Sequence, residues 1–235
     1  MKVELKFKPK SPTIIEGFPG FGLVGTIATE FLIKHLKAKP IGKIWSDDLL
    51  PIAAVHDSEI VEPLGIFYDK QHNLVILHAL SAVRGLEWEL TNSLIQLCQD
   101  LKCKELISIE GIGSQEESLR TFYYSMNPST RKSLEKIGLQ PLREGMVIGV
   151  TGALLIKRRD LASCIFVESH VGIADSKAAA KIIEILDKYL GLKVDYKPLL
   201  KAAERFEATL RTLVEKSKEA AGGTKEEKKE LSYLG

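Results

Sequence analysis

The chain has too little of several things to fit the commoner catalytic, membrane and secreted classes. It has three cysteines, Cys98, Cys103 and Cys164. An odd number without C-x-x-C spacing gives neither a disulfide framework nor a zinc site and points to a reducing setting. A formal net charge of only +2 lacks the basic excess of a dedicated nucleic-acid binder. No apolar run approaches the ~20 residues that cross a bilayer. The first residues, Met1-Lys2-Val3-Glu4-Leu5-Lys6, alternate charged and apolar side chains as a strand does, unlike the apolar stretch of a signal peptide. Read from Met1, the chain is expected to be cytoplasmic, with no targeting segment and no membrane or nucleic-acid partner. The five histidines, His35, His56, His72, His78 and His170, show no H-E-x-x-H spacing and none adjoins a cysteine at ligand spacing, so no metal is expected. His78 follows an apolar run and reads as a hydrogen-bonded core or strand-end histidine. There is no G-x-S-x-G elbow and no internal repeat.

What is present is a 235-residue chain with 45% hydrophobic residues, enough for a sizeable core. Apolar strand-like runs alternate with amphipathic helix-like runs. Strands are expected over 2–7, 13–16, 39–45, 53–55, 65–68, 74–80, 106–110, 145–150 and 164–168, and helices over 23–36, 85–101, 129–137, 175–190 and 197–221. Leu74-Val75-Ile76-Leu77 and Leu106-Ile107-Ser108-Ile109 are nearly continuous apolar runs, as buried parallel strands are. The order predicts an α/β fold, a three-layer α/β/α sandwich with a mostly parallel central sheet over residues 1–195. A C-terminal helix over 196–221 and a tail over 222–235 follow. In the helix, Leu199, Ala203, Phe206, Leu210 and Leu213 step by four, three, four and three residues, a heptad-like stripe of about two heptads. It packs either on its own domain or against an oligomer or partner. The tail carries the charge run Lys225-Glu226-Glu227-Lys228-Lys229-Glu230 and ends in the apolar and aromatic tip Leu231-Ser232-Tyr233-Leu234-Gly235, suited to another protein's pocket.

Gly17-Phe18-Pro19-Gly20-Phe21-Gly22-Leu23-Val24-Gly25 supports two readings. Gly20, Gly22 and Gly25 satisfy the G-x-G-x-x-G spacing of a dinucleotide turn, with Asp47 and Asp48 at about the distance of a ribose-binding acid. Against this, Gly17, Phe18 and Pro19 separate the apolar strand from Gly20, and Phe21 puts a bulky side chain in the turn. The alternative is architectural. Gly17, Gly20, Gly22 and Gly25 permit positive φ and close packing at a strand-to-helix turn, while Pro19 stiffens it. Elsewhere, Glu110 at a strand end could meet Glu168 and His170 in an acid/base cluster. Ser114 follows the same strand. Trp88, in Arg84-Gly85-Leu86-Glu87-Trp88, is either a core or an interface anchor.

Three segments in this order, Gly17 to Gly25, Glu110-Gly111-Ile112-Gly113 and Gly149-Val150-Thr151-Gly152-Ala153-Leu154-Leu155, resemble the proteasome assembly chaperone 2 family in its archaeal form, over about residues 10–190. The resemblance implies a fold similar to nucleoside phosphorylases without established catalysis, and no cofactor. It implies a homo-oligomeric, ATP-independent chaperone or activator that binds the α-subunits of the proteasome core particle. Members of the family can end in a hydrophobic residue, tyrosine and any final residue, a motif that inserts between α-subunits. In this chain Tyr233 stands third from the end, preceded by Ser232 and followed by Leu234 and Gly235. By that resemblance Tyr233, Leu234 and Gly235 are the expected docking residues.

Overall fold

Short links between apolar runs decide how the strands pair. The computed structural model of the chain describes residues 1–49, 54–56, 59–80, 83–113, 119–169 and 174–201. The elements are β1 (Lys2–Leu5), β2 (Thr13–Gly17), a 3-10 turn (Phe21–Leu23), α1 (Val24–Leu36), β3 (Lys39–Trp45), β4 (Ala54–His56), β5 (Glu59–Val61), β6 (Leu64–Asp69), β7 (Leu74–Ala79), α2 (Glu87–Leu101), β8 (Glu105–Gly113), β9 (Thr121–Tyr124), α3 (Pro128–Lys136), β10 (Gln140–Pro141), α4 (Gly149–Arg158), β11 (Ala162–Ser169) and α5 (Ser176–Leu190).

Nine strands form one sheet in the order β1-β3-β6-β7-β2-β8-β11-β9-β10, and β4 pairs with β5 apart from it. The central strands β7, β2, β8 and β11 are parallel. The expectation of a mostly parallel sheet is corrected outside that centre, because β1, β3 and β6 continue from β7 in antiparallel pairs and β9 runs antiparallel to β11. For β6 and β9 the cause is link length. A parallel return needs a crossover of a dozen or more residues, and the turn between β6 and β7, with Asn73 at φ 50, is far too short for one. So is the link over residues 114–120.

Period-2 alternation builds a core on each side of this sheet. Ile15, Ile76, Ile107, Ile165 and Val167 face one side, where α1 and α5 supply Val24, Ala28, Leu32, Ile182, Ile183 and Leu186. Ile14, Val75, Leu77, Leu106 and Phe166 face the other, where α2 and α4 supply Leu90, Leu94, Leu97, Val150 and Leu154. Helices therefore pack on both faces. α2 buries Leu90, Leu94, Leu97 and Leu101 at helical spacing. α5 starts where the Asp175 carboxylate accepts the Ala178 N–H at 2.9 Å and stops at Gly191, φ 68, a left-handed C-terminal cap. Helical backbone resumes over 197–201, and Leu199 packs against the α1/α5 core. Ala203, Phe206, Leu210 and Leu213 lie outside the described residues, as does the tail.

One expected strand is absent: residues 145–148 are irregular and 149–150 open a helix. Residues 145–150 read as a strand, yet α4 begins at Gly149 and buries Val150, Ala153 and Leu154. Those positions repeat at i, i+3 and i+4 and face α2. A short apolar run does not by itself separate the two periods.

The turn from β2 into α1 depends on backbones that touch. A Cβ on Gly17 would overlap the Gly25 carbonyl oxygen, and one on Gly25 would lie 2.8 Å from the Ile109 carbonyl oxygen. Neither neighbour is a movable side-chain end. Gly17→Ala is expected to destabilise the protein by about 3 kcal/mol in urea unfolding, the upper part of the overpacking range. Gly145→Ala, whose added Cβ would meet only the Leu142 side chain at 3.4 Å, is expected to change stability by less than about 0.5 kcal/mol.

Candidate functional site at the carboxyl ends of the central strands

The chain leaves β2 toward α1 on one face and leaves the adjacent β7 toward α2 on the other. Such a divergence opens a crevice beyond the strand ends, the usual ligand position in open α/β sheets. A cavity of about 770 Å³ lies there. The turn after β2 supplies Phe18, Pro19, Gly20, Phe21, Gly22 and Leu23, and the approach to α2 supplies Val83, Arg84 and Glu87. Glu110 comes from β8, Ile148, Gly149 and Val150 come from the start of α4, and Ala174 precedes α5. A neighbouring cavity of about 340 Å³ shares Phe21, Glu110 and Ile148.

Local backbone geometry shapes the turn. Gly20 is extended at φ −144, and its carbonyl accepts the Leu23 N–H at 3.0 Å. Gly22 has φ 62, the left-handed region that favours glycine. A Cβ there would overlap the Ser169 Oγ. The Gly22 carbonyl accepts the Asp175 N–H at 2.8 Å, which ties the turn to the start of α5.

Beneath the turn is a seam of buried polar groups. Glu16 on β2 stands beside Ser108 on β8 and is fully buried. Neither of its carboxyl oxygens makes a hydrogen bond of ordinary geometry. Burial pushes its pKa up to about 8, with the Ser108 hydroxyl opposing and the Glu110 charge adding. Glu110 is pushed up to about 7 by burial, opposed by the Thr151 hydroxyl. Its Oε2 is sealed from solvent without a hydrogen-bond partner. Ser108 Oγ and Thr151 Oγ1 bond each other at 2.8 Å. Cys164 sits across from Ser108, and burial drives its thiol well above the usual range. All three cysteines are free thiols. Near neutral pH Glu16 therefore holds, and Glu110 partly holds, a proton that an exposed carboxyl has lost.

The structure gives the dinucleotide reading little to work with. β6 and β7 separate β3 from β2, so Asp47 and Asp48, which follow β3, lie beyond those two intervening strands. Asp48 accepts the Ser46 hydroxyl at 2.9 Å. The 3-10 turn intervenes before α1, and a Cβ on Gly20 would be 3.0 Å from Glu110 Oε1, which sets a carboxyl where that reading wants phosphate. The expected acid/base cluster is described only in part. Glu168 accepts the Arg120 guanidinium at 2.6–3.0 Å, and His170 and Ser114 lie outside the described residues. His78 shares a hydrogen bond with Thr29 Oγ1 at 2.9 Å, and burial lowers its pKa, so it is a neutral core histidine, the first of the two expected placements. Trp88 is 49% exposed with Lys157 Nζ 5.5 Å from its ring centroid, so it anchors neither core.

Sequence reasoning passed over Glu16, although a glutamate ending the apolar run Thr13-Ile14-Ile15 was a visible signal. Among the described residues no cluster of three or more His, Cys, Asp or Glu is placed to hold a metal, and no helix is long and apolar enough to cross a membrane. Tyr233, Leu234 and Gly235 lie outside the described residues.

The body is thus an open mixed α/β sheet with a glycine turn over its central strand ends. The profile of the PAC2 family matches residues 14–214, and the chain belongs to that family. It is similar to Pyrococcus furiosus PbaA, an archaeal homolog of proteasome-assembly chaperone (29% identical, TM-score 0.82, covering 93% of this chain and 94% of that one). It is also similar to Pyrococcus furiosus PbaB, an archaeal proteasome activator (25% identical, TM-score 0.77, covering 90% and 98%). An uncharacterized protein of Methanocaldococcus jannaschii is 28% identical over 220 residues, 91% of this chain and 89% of the relative.

The raised carboxyls make stability depend on pH. Folding holds protons that the unfolded chain releases above its carboxyl pKa of 4.5, so stability is full below that value. It is lost as pH rises through about 7 for Glu110 and about 8 for Glu16. Glu16→Gln removes the larger part of this slope. It is expected to gain on the order of 2–4 kcal/mol over the parent at pH 8 and little at pH 4. Urea unfolding at both values checks this, and equal slopes for the two proteins would refute it.

Proposed function

We propose that this chain is a non-enzymatic, ATP-independent proteasome assembly chaperone or activator that binds the α-subunits of the core particle, or the ring they form. The observation that carries this reading is similarity over nearly the whole described body to both PbaA, an archaeal homolog of proteasome-assembly chaperone, and PbaB, an archaeal proteasome activator.

The proposed mechanism has two parts. A homo-oligomeric α/β body presents a platform, with the stripe of Leu199, Phe206, Leu210 and Leu213 as oligomer or partner surface. Tyr233, Leu234 and Gly235 dock between α-subunits. Several tails on one oligomer raise the effective concentration of each, so modest individual contacts add up. In this reading Gly17, Pro19, Gly20, Gly22 and Gly25 shape the body and touch no cofactor. The setting is the cytoplasm.

Deleting Leu231 to Gly235 is expected to lower capture of purified core-particle α-subunits at least tenfold, about 1.4 kcal/mol or more, with the body's unfolding midpoint unchanged. Undiminished capture would remove the tail from the mechanism. No capture by the full chain would remove the α-subunits as partner.

A further inference from the structure

The cavity over Glu110 has a job that partner binding through a tail does not use. Its volume of about 770 Å³ falls within the range of small-molecule sites, roughly 300–1,000 Å³. Phe18 and Val83 are buried in its wall, and Phe21, Ile148 and Val150 also face it. Such walls suit a flat apolar body. The polar floor is the Glu110 carboxyl, whose Oε1 lies against the Gly20 backbone at the cavity wall. The start of α4 forms one rim without a side-chain cap, and Arg84 and Glu87 form another.

We propose that this cavity binds a small molecule with a flat apolar body and a nitrogen donor edge, an amidine or a primary amide, which the Glu110 carboxyl in its lining grips. The aromatic walls take the body and the carboxyl takes the N–H groups. A cationic donor binds best, because it forms a charge-assisted pair with the carboxylate. A carboxylate-bearing ligand of the same shape is repelled by Glu110 and Glu87. The site is independent of the tail and of the proteasome reading.

The test uses the full chain at pH 8 with benzamidine, benzamide and benzoate, three probes of one shape and different charge. Titration is followed by calorimetry and by backbone amide NMR. Benzamidine is expected to saturate with Kd on the order of 1 mM, in keeping with the modest affinity of so small a ligand. Benzamide should bind more weakly, and benzoate weakest. Shifts should centre on the amides of Gly20, Gly22 and Gly149. Glu110→Gln should weaken benzamidine at least tenfold while benzamide changes less than about threefold. The shift map needs no variant, so it decides the matter even if Glu110→Gln fails to fold. No saturation by about 10 mM, shifts centred elsewhere, or equal affinity for benzoate and benzamidine would each overturn the proposal.

Discussion

Three glycines let two elements approach until their backbones meet, and the upper half of the molecule depends on that contact. Gly17 ends β2 against Gly25 of α1, Gly25 faces the Ile109 carbonyl, and Gly111 leaves no room for a Cβ beside the Phe21 carbonyl. Any side chain at these positions would lift the turn off β8. With the turn seated, Phe18 is buried in the α2/α4 core and Gly20 comes down onto Glu110. Close packing of this kind transmits strain, because a packed interior has few places to relax. The loop is therefore a rigid edge of the sheet.

The seated turn also explains the unusual carboxyls. Closing the space above β8 removes water from Glu16 and Glu110 without supplying either with an ion-pair partner among the described residues. Removing water from an unpaired carboxylate is costlier than protonating it, so the groups keep their protons to higher pH than an exposed carboxyl does. Contrast Glu168 on β11, equally well covered, which accepts the Arg120 guanidinium. One glutamate has a cation at hand and the other two have hydroxyls, Ser108 and Thr151. The same residue type thus does two different things within one sheet, according to its neighbours.

How far this was legible in the sequence varied by element. β3 was readable end to end, and α1, α2 and α5 to within a residue or two, because each holds one period over many residues and closes with a clear stop such as Gly191. β7 and the middle of β8 were readable as apolar runs. β5, β9 and β10 were not anticipated, since three residues at Glu59–Val61 and two at Gln140–Pro141 hold too little pattern, and Thr121–Tyr124 lies in a polar neighbourhood. α4 was misread because Met146, Val147 and Ile148 extend its apolar stretch backward past its first turn. The reversals between β6 and β7 and between β8 and β9 followed from link lengths that were visible and went unused. Of the candidate site, the glycine turn and Glu110 stood out in the sequence. Their meeting did not, because β2 and β8 become neighbours only once β7 has been placed on the other side of β2.

Parallel strands meeting with helices diverging above them leave a crevice by topology alone, so a cavity here is a consequence of the fold and not in itself a sign of catalysis. Turning it into an active site would take a nucleophile, a base and an oriented donor converging on one point of the crevice. Around the crevice the described residues set the Glu110 carboxyl, apolar walls and the start of α4, and the polar side chains beneath it are turned into the sheet, where Ser108 and Thr151 bond each other.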